Sequence, residues 1–240
     1  MLWAAQGGHV SVVDVLLDQG ADIETRHDKD SGLTLLSWAA MLGHMSVVKL
    51  LLEKGMDIET RARRGQTPLS LASEGGHTSV VKLLLEKGAD IDTRDQRDKT
   101  PLSWAAQYGH ISIVKLLLKK GVDIEARDDR DQTPLSLASK GGYISVVKLL
   151  LEKGADIETK ERWNGTPLSR ATDHDHTSVI KLLLESGADT GTKNGEGETQ
   201  RTWTAEKGWD KNITELVLTE TADRESKNDI FETSGAREYS

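Results

Sequence analysis

Apolar residues in this chain fall in short, regularly interrupted blocks. VVKLLL and its variants recur, each broken by Lys or Glu, which is the i, i+4 rhythm of a helix with one buried side. The unit that begins at Thr67 shows how the blocks are punctuated. Thr67 is placed to cap a helix and Pro68 to open it, where its missing N–H is no loss. A short helix then runs through Leu69 to Ser73 and stops at Gly75-Gly76. His77 leads into a second helix whose Val80, Val81, Leu84 and Leu85 share a face, with Lys82 and Glu86 on the wetter side. Gly88 stands just past its end as a C-terminal cap, and the polar stretch from Asp95 to Lys99 turns the chain onward. Such a pair cannot bury its apolar face alone.

The pair is copied along the chain. The Gly of "GAD" and its variants stands at positions 20, 55, 88, 121, 154 and 187, a spacing of 35 and then four of 33. Thr34, Thr67, Thr100, Thr133, Thr166 and Thr199 are each 33 apart, and four of these six open TPL. This pattern resembles the ankyrin repeat, which has that period and a T-P-L signature. The resemblance covers about residues 1–218. It implies an all-α fold, a solenoid of stacked helix-turn-helix pairs with projecting β-hairpin-like loops. The expected divisions are a truncated first repeat (1–30), five whole repeats (31–63, 64–96, 97–129, 130–162, 163–195), a degenerate C-terminal capping repeat (196–218) and a disordered tail (219–240). Residues 71–91 and 137–157 differ only at Glu74/Lys140, His77/Tyr143 and Thr78/Ile144, as a two-repeat duplication would leave them.

The two ends differ from the middle. The first unit begins at the tryptophan slot, so Val12, Val13, Leu16 and Leu17 are expected to lack a cover, to invite self-association, and to mark the chain as part of something longer. The LSWAA wording at 36–40 and 102–106 looks like arrays that are fused behind a NACHT-type nucleotide-binding switch. Trp3, Trp38, Trp104 and Trp203 share one slot and are assigned to the core. In the last unit Gln200-Arg201 replace Pro-Leu, as suits a repeat that must solvate one face.

Composition narrows the function. Charged residues make up 29% of the chain, apolar residues 36%, and no apolar run approaches a membrane span. No basic leader with an apolar core opens it, and cysteine is absent, so an intracellular setting is expected, cytoplasmic rather than nuclear. The net charge of −8 opposes general affinity for nucleic acid or anionic lipid. No GxxxxGK, HExxH or GxSxG motif occurs, so no catalytic residue, cofactor or metal is assigned. His9, His44, His77, His110 and His176 share a repeat slot and read as structural, and the H-x-H of His174 and His176 has no third ligand at a supporting spacing.

Recognition of a protein partner remains. The loop tips vary on a fixed frame: Arg63-Arg64-Gly65-Gln66, then Gln96-Arg97-Asp98-Lys99, then Asp129-Arg130-Asp131-Gln132, then Arg162-Trp163-Asn164-Gly165. The resemblance implies a concave binding face built from these tips and the adjoining helix ends. The residues expected to carry it are Met41, Leu42, Arg63, Arg64, Arg97, Tyr108, Arg130, Arg162 and Trp163, with Tyr108 and Trp163 as anchors. Arg26, Arg61, Arg94, Arg127, Lys160 and Lys193 form a basic ladder, expected to pair with Glu24, Glu59, Asp92, Glu125 and Glu158 two residues earlier. Residues 59–67 hold three basic side chains to one acidic, whereas 125–133 hold two to four, so an acidic epitope is expected at the early repeats. The function expected is a non-catalytic interaction scaffold; the alternative is the sensor arm of a larger signalling NTPase.

Overall fold

The structure is a computed structural model that describes residues 1–22, 32–162 and 164–191. Among the described residues there are twelve helices and no strand. They alternate short and long: α1 (Leu2–Gln6), α2 (Val10–Asp18), α3 (Leu35–Met41), α4 (Met45–Glu53), α5 (Pro68–Glu74), α6 (Thr78–Glu86), α7 (Pro101–Gln107), α8 (Ile111–Lys119), α9 (Pro134–Lys140), α10 (Ile144–Glu152), α11 (Pro167–Asp173) and α12 (Thr177–Glu185). Odd-numbered helices pack on one another in one layer and even-numbered helices in a second. The result is the expected stack of helix pairs.

Each helix begins and ends where the residues dictate. Thr34, Thr67, Thr100, Thr133 and Thr166 cap α3, α5, α7, α9 and α11 by accepting the N–H of the Ser three residues on. The repeated histidine then ties one pair to the next. Nε2 of His44, His77, His110 and His176 donates to the carbonyl of the last residue of the short helix in the preceding pair, Gln6, Met41, Glu74 and Lys140, at 2.6–2.9 Å. That carbonyl is an orphan of the helix end and needs such a donor. The close approach requires glycine: a Cβ at Gly43, which has φ 78°, would overlap the His77 ring. Tyr143 breaks the series, its ring lying against Gly109 and Gly141 without a nitrogen to offer.

Between pairs the chain makes tight tips, closed by main-chain bonds from Ala62 to Gln66, Asp95 to Lys99, Asp128 to Gln132 and Glu161 to Gly165 at 2.9–3.2 Å. Their fourth residues, Gly65, Asp98, Asp131 and Asn164, are left-handed (φ 56–75°), the turn-plus-αL geometry of three-residue hairpin loops. Successive tips join through Gln96 N–H to Arg64, Asp129 N–H to Arg97, and Arg162 N–H to Arg130.

The basic ladder is used differently from expectation. Nη1 of Arg61, Arg94 and Arg127 donates to the carbonyl of Arg94, Arg127 and Lys160 in the following unit at 2.7–2.9 Å. Glu59, Glu125 and Glu158 accept the N–H of Asp90, Asp156 and Asp189, again one unit on. A guanidinium reaches a carbonyl and a carboxylate reaches an N–H, so both rows bind the backbone of the neighbouring unit, and Arg127 also draws on Glu125 electrostatically.

The tryptophan slot also divides. Trp104 is buried, whereas Trp3 is 85% exposed. Trp104 is covered by Asp95 and Lys99 of its own tip. At the same edge Val13 is buried, Leu16 and Leu17 are half-buried, and Val12 and Val15 are exposed. Trp203, the capping repeat (196–218) and the tail (219–240) lie outside the described residues. Hydrogen exchange is expected to be at least about tenfold faster in α2 than in α8, which has neighbours on both sides. Equal protection in a monomer would contradict this.

Candidate functional site

The tips and the C-terminal ends of the short helices lie on one side of the array. Met41 ends α3 and is half-buried in a small apolar cluster with Leu33, Trp38, Ala62 and Leu71. Leu42, its cap residue, is 39% exposed. Arg63, Arg64, Arg97, Arg130 and Arg162 are exposed on four successive tips. Tyr108 caps α7, is 41% exposed, and lies parallel to Trp104 at a centroid distance of 6.1 Å. Trp163 lies outside the described residues.

Beneath the tips each unit sets a tip residue against the side chain nine positions later, and the pairings differ. Ala62 meets Leu71 in the apolar cluster. Asp95 accepts the N–H of Arg97 and Lys99 with Oδ1, and the Trp104 indole N–H with Oδ2 at 3.1 Å. Glu161 takes Arg170 through Nε and Nη2 at 2.9 and 2.5 Å, together with the Ser136 hydroxyl and the Gln132 amide. That carboxylate, taking both guanidinium nitrogens on Oε2, holds Arg170 above its usual pKa. Asp128 is the exception. Its Oδ1 accepts the N–H of Arg130 and Gln132 at 2.9 Å, but position 137 is Leu, and Oδ2 is buried without a hydrogen-bond partner.

A second pairing joins a tip residue to the position eight later, and its members also differ from unit to unit. Gln66 donates its amide to the Glu74 carboxylate at 2.6 Å. Lys99, only 7% exposed, finds the neutral Gln107 amide oxygen and lies 4.6 Å from the centre of the Trp104 ring. Burial lowers its pKa, against the opposing pull of Asp128 and Asp95. Lys99, Gln107, Asp128 and Leu137 line a cleft of about 340 Å³, with Arg97, Arg130 and Lys140 also on its walls. Sequence reasoning named Arg97 and Arg130 but not Lys99, Asp128 or the cleft. The signal was present as the pairing of each tip residue with positions eight and nine later, visible only when the units are compared slot by slot.

His174 Nδ1 and His176 Nε2 are bonded to the carbonyls of Arg170 and Lys140, and the two rings stack at 6.1 Å. Among the described residues there is no group of three or more His, Asp or Glu side chains able to hold a metal, and no helix long and apolar enough to cross a membrane. A family model described as ankyrin repeats (3 copies) matches residues 1–95, 59–128 and 102–194. No curated protein matches the chain.

Burial holds the Asp128 carboxyl above its usual pKa, opposed by the two N–H donors and Lys99. The folded state therefore keeps its proton to higher pH than the unfolded chain. The stability this group contributes is full below the unfolded carboxylate range and is lost as pH rises through the raised folded value. Asp128→Asn keeps an acceptor for the two N–H groups and removes that loss. Its melting temperature relative to the wild type is expected to climb between about pH 4 and pH 7. A difference that stays constant across that range would show the carboxylate to be fully compensated.

Proposed function

The chain belongs to the ankyrin-repeat family, and on that premise we propose that it is a non-catalytic scaffold binding a protein partner on the concave face. Ankyrin repeats are protein–protein interaction modules, and the proposed repeat divisions at 64, 97, 130 and 163 each fall within a tip. One observation carries the reading: the units are fastened through backbone groups, while the tips hold exposed Arg63, Arg64, Arg97, Arg130 and Arg162 beside exposed Leu42 and Tyr108. Arginine beside an aromatic ring is the composition of interface hot spots. Met41 supports Leu42 from below, and Trp163 is assigned to the same face as a second anchor. As the arm of a larger signalling NTPase the array would use this same face. Absence of cysteine suits a partner in a reducing compartment.

With the partner in hand, Tyr108→Ala and Trp163→Ala are each expected to weaken binding about thirtyfold, since a hot-spot truncation costs about 2 kcal/mol. Melting temperature should hardly move. Trp104→Ala is expected to do the opposite, because it empties a buried site and leaves Asp95 Oδ2 without its donor. Arg63→Ala with Arg64→Ala should slow association and flatten its salt dependence. Normal binding by both anchor variants, with loss on changing Lys82, Lys115 and Lys148 of the long helices, would move the site to the other layer.

At the other end, Trp3, Val12 and Val15 form an exposed apolar edge, and we assign it to contact with a second copy. Sedimentation velocity is expected to show concentration-dependent dimers that Trp3→Glu with Val12→Glu abolishes. A strict monomer in the wild type refutes the assignment.

A further inference from the structure

Two units apart, the same slots are filled in opposite ways. Leu33, Ala62, Met41, Leu71 and Trp38 make the small apolar cluster under the early tips; 66 residues on stand Lys99, Asp128, Gln107, Leu137 and Trp104. The early cluster shows that apolar side chains fill this space. The later version buries an ammonium and a carboxylate instead, at 7% and 5% exposure; each feels the other's charge, but neither makes a contact ion pair. Lys99 has an amide oxygen where its counterpart two units away is apolar, and Asp128 Oδ2 has no donor. Leaving such groups unpaired is costly, more so than an apolar filling of the same volume. The neighbouring units avoid this cost, Asp95 through Trp104 and Glu161 through Arg170.

We propose that the cleft between the tip of 95–99 and the end of α9 is an anchoring pocket for an acidic segment of the partner. The proposal deepens the scaffold reading and rests on it. A carboxylate entering the cleft gives Lys99 a counter-charge in direct contact, and a peptide N–H beside that carboxylate supplies Asp128 Oδ2 with a donor. Arg97, Arg130 and Lys140 make the lining cations four with Lys99, against the carboxylates of Asp128 and Asp129, so the cleft favours an anionic guest. The whole-segment charge count, which favours the early repeats, does not see this, because one oxygen of Asp128 is already held by backbone N–H groups.

The test is fluorescence anisotropy of a labelled hexaglutamate peptide with the full chain at low salt, alongside thermal melts. Gln107→Glu gives Lys99 an internal carboxylate, and Leu137→Trp gives Asp128 the indole donor that Asp95 already has. Both are expected to raise the melting temperature and weaken the peptide about tenfold, the loss of one charged hydrogen bond. Lys140→Glu, a half-buried rim residue, should weaken it similarly without stabilising the fold. Arg63→Ala with Arg64→Ala should leave it within about twofold, as for remote charges. Gln107→Glu and Leu137→Trp binding like the wild type, or the early-tip pair losing as much as they do, overturns the pocket. Inorganic phosphate at equal concentration is expected not to displace the peptide; displacement overturns the peptide assignment in favour of a small-anion site. A wild-type chain that ignores the peptide sinks the pocket alone, because the Tyr108 and Trp163 variants are scored against the isolated partner.

Discussion

Helices of seven and nine residues fall below the roughly 12–15 at which a helix holds itself in water, so each pair exists only because another pair covers it. Leu36, Leu69, Leu102, Leu135 and Leu168 occupy one slot and are almost fully buried, and Val47, Val80, Ile113, Val146 and Val179 do the same on the long helices. These residues meet their own copies one unit away. The core is therefore continuous along the array and thin across it, and the edge at α1 and α2 shows what one missing neighbour exposes.

Because the neighbour is a copy, each fastening can be one side chain aimed at a fixed backbone atom in an adjoining unit. The histidine to a helix-end carbonyl, the arginine to a tip carbonyl and the glutamate to a backbone N–H all have this form. Backbone targets do not depend on what side chain the next unit carries. The tips are thus released to vary without loosening the stack, which is the physical basis for reading their variation as binding chemistry.

Much of this was legible beforehand. Thr67, Pro68, Gly75 and Gly88 announce both helices of a unit, and the 33-residue period announces the stack. What the sequence obscured were contacts between units. Arg94 and Asp92 stand two apart and look like a pair, yet the nearest suitable acceptor is the Arg127 carbonyl 33 residues on. Trp3 and Trp104 share a slot, yet burial there depends on the tip that precedes it. On the candidate face, exposed Arg97, Arg130 and Tyr108 could be read from their place in the unit. Buried Lys99 and Asp128 could not, since each looks like an ordinary tip residue until its position eight or nine residues later is found to hold Gln107 and Leu137.

The frame and the floor beneath the tips are therefore separable. Going from the early cluster to the cleft changes Leu33 to Lys99, Ala62 to Asp128 and Met41 to Gln107, while the stacking leucines Leu36 and Leu102 remain alike and buried. Tyr143, in place of the stapling histidine, falls at this same junction between the fourth and fifth pairs. A stack held elsewhere by redundant links tolerates one junction with fewer of them, because its stability is a sum over neighbouring contacts. An unsatisfied carboxylate oxygen such as Asp128 Oδ2 can then be carried at one junction of the array without unfolding it, and that junction gains from a guest able to satisfy it.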